Sequence, residues 1–201
     1  MGFAMSNNKK IYILHYPSSP IYDFIKYYIA QTSNIDVSFE LINPNLINFE
    51  EGSIVVCIIK NPIDSIAYVT SVQHQGTEFT PLLFGEIKFQ LKSYSKYYEY
   101  FDKNIEHIVK EEDVENNVDK FVEFLCGLVN ENKNSTIENP LESFNQYSIE
   151  NAPETPFCHT VLDKEKTEKL HNELILRLNS YDLENWKNLY FNVSKKAISF
   201  T

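Results

Sequence analysis

Lys60, Asn61 and Pro62 stand between six apolar residues, Ile54-Val55-Val56-Cys57-Ile58-Ile59, and a segment, residues 64–69, that reads as the opening of a helix. A cation, a capping amide and a proline at such a junction are the residue types that make a seat for an anion. The apolar run is short, β-branched and without alternation, as expected of a strand covered on both faces. Pro62 suits a first helical position, Asn61 an N-cap, and Asp64 puts negative charge in the first turn. The free N–H groups of that turn and the helix dipole would point at one spot beside Lys60. The plainer reading of the same spacing is an ordinary strand-to-helix turn in an α/β domain. The residues leave both readings open.

The elements that must position this junction are legible around it. Residues 10–15 (KIYILH) read as a first strand, Tyr16-Pro17-Ser18-Ser19-Pro20 as a hydroxyl-rich turn, and residues 21–31 as a helix with Ile21, Phe24, Ile25, Tyr28 and Ile29 on one face. A second, alternating strand covers 37–42, and a loop with Pro44 and Gly52 precedes the apolar run. Residues 73–81 read as a polar connection, and 82–101 as an aromatic-rich helix whose tyrosines suit a half-buried face. A strand is expected over 105–109, then Asp113 as the cap of a helix over 114–128 with Val114, Val118, Phe121, Val122 and Leu125 inward. Glu111, Glu112 and Asp113 allow a carboxylate cluster, yet a solvated helix start explains them fully. Residues 130–156 are poor in apolar residues and read as a long excursion with at most a short helix. Helices over 163–178 and 183–190 follow, the second carrying Trp186, and 193–200 reads as a strand or as a tail that docks on another chain.

This alternation predicts a small three-layer α/β domain with a parallel, P-loop-like sheet and helices on both faces. The expected organisation is a flexible tail over 1–9, the α/β core over 10–128, the polar excursion over 129–160, and C-terminal helices and tail over 161–201 packing on the core. The pattern GxxxxGK[ST] of ordinary P-loop enzymes is absent from the sequence.

The order of segments resembles the sulfotransferase family, which shares the P-loop architecture and binds the sulfate donor PAPS. Ile13-Leu14-His15-Tyr16-Pro17-Ser18-Ser19 is similar to that family's first strand and 5′-phosphosulfate loop, usually TYPKSGT. Ile58-Ile59-Lys60-Asn61-Pro62-Ile63-Asp64-Ser65 resembles its 3′-phosphate motif, RNPxD followed by a serine. Lys110 to Val114, then Phe124-Leu125-Cys126-Gly127-Leu128, resemble its YEDL segment and the FLGL ending of the next helix. Asn185-Trp186-Lys187-Asn188 is similar to a tryptophan motif near its C-terminus. The resemblance implies PAPS or its product PAP as nucleotide, no metal, and a site formed by Tyr16, Pro17, Ser18, Ser19, Lys60, Ser65 and Tyr68. His15 is the weak candidate for a general base, beside a structural reading of the same residue. The family's loop lysine aligns with Ser18, its loop glycine with Pro20, its arginine with Lys60, and its later serine with Tyr68. Sulfonyl transfer depends on positioning and charge neutralisation, so these departures predict a drifted site with poor transfer chemistry.

Composition narrows the alternatives. The 201 residues carry a formal net charge of −10, and Arg177 is the one arginine. No basic face for nucleic acid is evident, and a phosphate site must do without the guanidinium fork. No apolar run approaches the roughly 20 residues that span a bilayer. Cys57, Cys126 and Cys158 are odd in number and widely spaced, which suits small buried hydrophobes in a reducing compartment. Cys158, His159 and His171 lack zinc-ligand spacing. Two functions follow. One is a sulfotransferase-like protein that binds a PAPS-type nucleotide. The other is a non-catalytic structural or binding protein that retains the fold, with a protein partner or self-association, for example in a viral particle. The expected location is the cytoplasm, or the virion if the chain is viral.

Overall fold

A computed structural model describes residues 9–15, 21–41, 49–74, 81–151, 164–180 and 184–200. Among them, four strands form one all-parallel sheet in the order β2-β1-β3-β4. They are β1 (Ile11–His15), β2 (Val37–Leu41), β3 (Ile54–Ile59) and β4 (His107–Lys110). The two central strands are the most apolar: β1 is buried throughout, and Val56, Cys57, Ile58 and Ile59 of β3 are fully buried. Continuous burial of this kind follows from helices on both faces of a parallel sheet.

Those helices divide into two layers according to the period-2 alternation of the strands. Leu14, Cys57, Ile59 and Ile108 face one layer, made of α2 (Pro62–Gln73), α3 (Pro81–Asn104), α7 (Lys164–Ser180) and α8 (Glu184–Ser194). Ile11, Ile13, Val56, Ile58 and Val109 face the other, made of α1 (Ile21–Thr32), α4 (Glu111–Asn116), α5 (Val118–Leu128) and α6 (Pro140–Asn151). The molecule is therefore a three-layer α/β domain, as the alternation of elements predicts.

Several boundaries differ from the sequence expectation. The helix expected over 114–128 with Asp113 as cap is two helices. β4 continues through Lys110, because Ile59 pairs with Lys110 in the parallel register. The chain then enters α4 at Glu111 without a loop, with Lys110 in extended backbone and no side-chain cap. Asn117, at φ −142° and ψ 44°, separates α4 from α5. The excursion after residue 129 contains the twelve-residue α6, longer than expected, which rests on α1 through ring contacts of Phe144 with Phe24 and Tyr27. Of the expected 73–81 connection, residues 75–80 lie outside the described residues.

The C-terminal stretch docks on its own chain. The Ile198 N–H donates to the Ile108 carbonyl at 2.8 Å, Ile198 bridges Val109 in parallel, and Lys120 Nζ donates to the Phe200 carbonyl at 2.8 Å. Phe200 is buried against the rings of Phe121 and Phe124. The stretch thus covers the outer edge of β4, which a parallel sheet otherwise leaves with unpaired backbone groups.

Candidate functional site

Strand order places a crevice. In the order β2-β1-β3-β4 the chain winds outward in opposite directions from β1 and β3, and ligands of open α/β sheets bind outside the carboxyl ends of strands at such a reversal. β1 ends at His15 and β3 at Ile59, and the parallel pairing puts both carboxyl ends on the same edge.

The junction after β3 forms as its residues require. The Asn61 side chain accepts the Ile63 N–H at 3.0 Å, Pro62 occupies the first helical turn, and the Ser65 N–H donates to the Asn61 carbonyl at 2.9 Å. The buried Tyr98 hydroxyl donates to the Lys60 carbonyl and pins the strand end from α3. The Lys60 ammonium lies 2.6 Å from Glu111 Oε1 and 5.9 Å from the centre of the Tyr68 ring.

Register explains why Lys60 and Glu111 meet. With Ile59 beside Lys110, the next residue of each chain, Lys60 and Glu111, emerges side by side at the carboxyl edge. Tyr22 completes the group from α1. Its hydroxyl donates to Glu111 Oε2 at 3.1 Å, so the two carboxylate oxygens each take a donor. Glu111 is 3% exposed, whereas the Lys60 side chain is 31% exposed. The reading of Glu111 as part of a solvated helix start is therefore corrected: it is a buried carboxylate at the centre of the site.

A cavity of about 210 Å³ opens beside this pair, lined by Asn61, Asp64, Lys110, Glu112, Glu115 and Tyr190 as well as by Ile59, Lys60 and Glu111. Its field is negative. Burial, and then the charges of Glu111 and Glu112, raise the Glu115 carboxyl above its ordinary pKa, against the opposing effect of Lys60. Burial and the nearby Glu112, Asp64, Asp113 and Glu111 push the Tyr190 phenol up to about 12. A second cavity of about 320 Å³ shares Asn61 and Tyr190 and continues toward Asn179, Lys187 and Phe191.

The residues implied by the resemblance are distributed unevenly around this site. Lys60 and Tyr68 come together. Ser65 is 5% exposed and is not among the residues lining the cavity. His15 is packed as a core side chain, its ring 3.8 Å from that of Tyr22 and 6.2 Å from that of Phe39. Tyr16, Pro17, Ser18 and Ser19 lie outside the described residues. The pairing of Glu111 with Lys60 was missed. Its one sequence signal was a charge at each of two adjacent strand ends, and reading it needs the strand register.

A larger open groove of about 800 Å³ lies between α1, α5 and α6. Two of its lining residues are paired: the Tyr28 hydroxyl donates to Asp119, and Asp119 is also held by Lys133 at 2.5 Å, which reaches Glu123 at 3.0 Å. Among the described residues no group of three or more His, Cys, Asp or Glu side chains is placed to hold a metal ion. No described helix is long and apolar enough to cross a membrane.

No protein-family model matches the chain, and no curated protein matches it.

Proposed function

We propose that this chain is a non-catalytic binding or structural protein on a sulfotransferase-like α/β fold, its nucleotide crevice closed by an internal ion pair. The observation that carries this reading is the 2.6 Å contact between Lys60 and a carboxylate that is 3% exposed. Lys60 is the one cation in the stretch that resembles the 3′-phosphate motif. A nucleotide phosphate seeking that ammonium must displace Glu111 and then sit among Asp64, Glu112 and Glu115. At an effective dielectric near 20, like charges about 4 Å apart repel by roughly 4 kcal/mol. The replacement of a loop lysine by Ser18 and of a loop glycine by Pro20 removes further donors, each worth about 3–4 kcal/mol in sites that stabilise developing charge.

A second reading, a protein that binds PAP or PAPS through Lys60, Ser65, Tyr68 and the turn at 16–20, is favoured by one observation: the strand order reverses between β1 and β3, and open α/β sheets take ligands at the carboxyl edge of such a reversal. Calorimetric titration of PAP into the wild-type chain and into Lys60→Ala separates the two. The expected result is no heat at millimolar nucleotide. Micromolar binding that disappears in the variant would overturn the closed crevice and favour the second reading.

A further inference from the structure

We propose that the groove between α1, α5 and α6 docks a basic segment of a partner protein. The segment is an extended peptide that sets an apolar side chain against Ile137 and Leu141, and lysine or arginine side chains against Glu115 and Glu142. This rests on the binding-protein reading above and names the partner's chemistry, at a face that Lys60 does not line. The groove holds about 800 Å³, within the roughly 300–1,000 Å³ of sites that bury a ligand. Its floor is Phe24 and Tyr28 of α1, both buried, while Leu141 on its rim is 61% exposed. The walls are tied in place. The Asn134 N–H donates to the Thr32 carbonyl at 2.7 Å, the Ser135 hydroxyl to the Gln31 carbonyl at 3.2 Å, and the Phe144 ring packs on Phe24. A partner therefore meets a formed surface and orders little of it on binding.

Charge selects the occupant. Glu115, Asp119 and Glu142 line the groove against one lining cation, Lys120. The Lys120 ammonium is taken by the Phe200 carbonyl at 2.8 Å, and Asp119 by Lys133 and Tyr28. Glu115 and Glu142 have no ion-pair partner among the described residues. Glu142 stands in the first turn of α6, where it also offsets the helix dipole. Glu115 lies in the last turn of α4, where a carboxylate gains nothing from the dipole. The field at Glu115 is already negative, since burial, then Glu111 and Glu112, hold its carboxyl above the ordinary pKa against Lys60. A basic partner relieves that repulsion, whereas a second copy of the chain, at net charge −10, adds to it. Backbone chemistry agrees. α5 begins without a side-chain cap at Asn117, so the N–H groups of its first turn, on residues that line the groove, lack an acceptor within the helix. Peptide carbonyls serve such donors without adding an anion beside the carboxylates. One peptide thus supplies cation, acceptors and apolar anchor together.

The test selects a displayed random-peptide library on the wild-type chain, then titrates a fluorescent copy of the most enriched peptide by anisotropy. Enriched peptides are expected to combine lysine or arginine with a large apolar residue. The labelled peptide is expected to bind at micromolar Kd, more weakly with added salt. Leu141→Asp and the double variant Glu115→Lys/Glu142→Lys should each lose at least about tenfold in affinity. Amide shifts on binding should fall over 115–120 and 136–145. No enrichment, acidic or uncharged enriched peptides, shifts elsewhere, or unchanged affinity in the folded variants overturns the proposal. If one variant fails to fold, the other decides, and if both fail, the shift map does. A wild-type dimer in light scattering that Leu141→Asp dissociates would give the groove to a second copy and overturn the basic partner. Silence toward peptides and PAP alike would remove the docking site and leave the non-catalytic reading standing. Lys60-dependent PAP binding would remove the closed crevice of that reading and leave the peptide result to be judged by its own variants.

Discussion

The Lys60–Glu111 pair is asymmetric, and the asymmetry has measurable consequences. Glu111 is 3% exposed and the Lys60 side chain 31%. Lys60→Met strands a buried carboxylate and should cost about 3–5 kcal/mol. Glu111→Gln keeps the Tyr22 contact and leaves an ammonium that reaches water, and should cost only about 1–2 kcal/mol. Urea denaturation of both variants checks the order, and equal losses would contradict the burial difference. A second residue-scale prediction concerns His171, whose buried Nε2 has no hydrogen-bond partner among the described residues. Burial, with Lys60 adding and Asp64 opposing, lowers its pKa below the ordinary value. The unfolded chain therefore takes the proton first. The stability contribution is complete above about pH 6.5 and is lost as pH falls from there through the folded-state pKa. Denaturation midpoints should drop between pH 7 and pH 5, and His171→Leu should flatten that drop. Lys60 was legible as a cation at a strand-to-helix junction because its neighbours, Asn61 and Pro62, carry local helix-start chemistry. Glu111 was not, because its partner lies 51 residues away and is fixed only by strand pairing.

At the scale of elements, the strongest local signals reproduced best. The apolar run that reads as a strand in the sequence is β3, Ile54–Ile59, and its following helix starts at the proline that suits a first turn. The element after β4 was misplaced because a charged run, Glu111-Glu112-Asp113, looks like a capped and hydrated helix start whatever the burial of its first member. Register overrode that appearance by carrying β4 to Lys110. The C-terminal stretch was open in the sequence between a strand, which is what it forms in rudiment, and a tail for another chain. Its apolar residue Phe200 found the α5 rings instead. Phe200→Ala should destabilise the chain by about 3 kcal/mol, the usual cost of removing a buried phenylalanine. It should also raise amide exchange at the Ile198 N–H, which donates to Ile108. Unchanged exchange there would show that the stretch is held by something other than its aromatic anchor.

For the whole molecule, alternation of strands and helices sufficed to fix the layers, and strand order decided which chain segments share an edge. The reversal between β1 and β3 brings three chain segments to one edge: the end of β1, the junction after β3, and the start of α4 beside it. Sequence reading expected the first two on one edge. It gave no hint that the third supplies a negative charge to the cation of the second, since the connection between β3 and β4 runs through both α2 and the 24-residue α3.

The burial of Cys57 has a use of its own. Its thiol lies at 0% exposure in an inner strand, and desolvation pushes it well above the ordinary thiol pKa, so alkylating reagents meet neither the atom nor its reactive thiolate form while the sheet is intact. In a chain carrying Cys126→Ser and Cys158→Ser, iodoacetamide labelling in native buffer therefore becomes a clock for whole-domain opening. Its rate should track the denaturant-derived unfolding free energy across variants, and fast labelling of a fully folded chain would mean that the inner strands breathe independently.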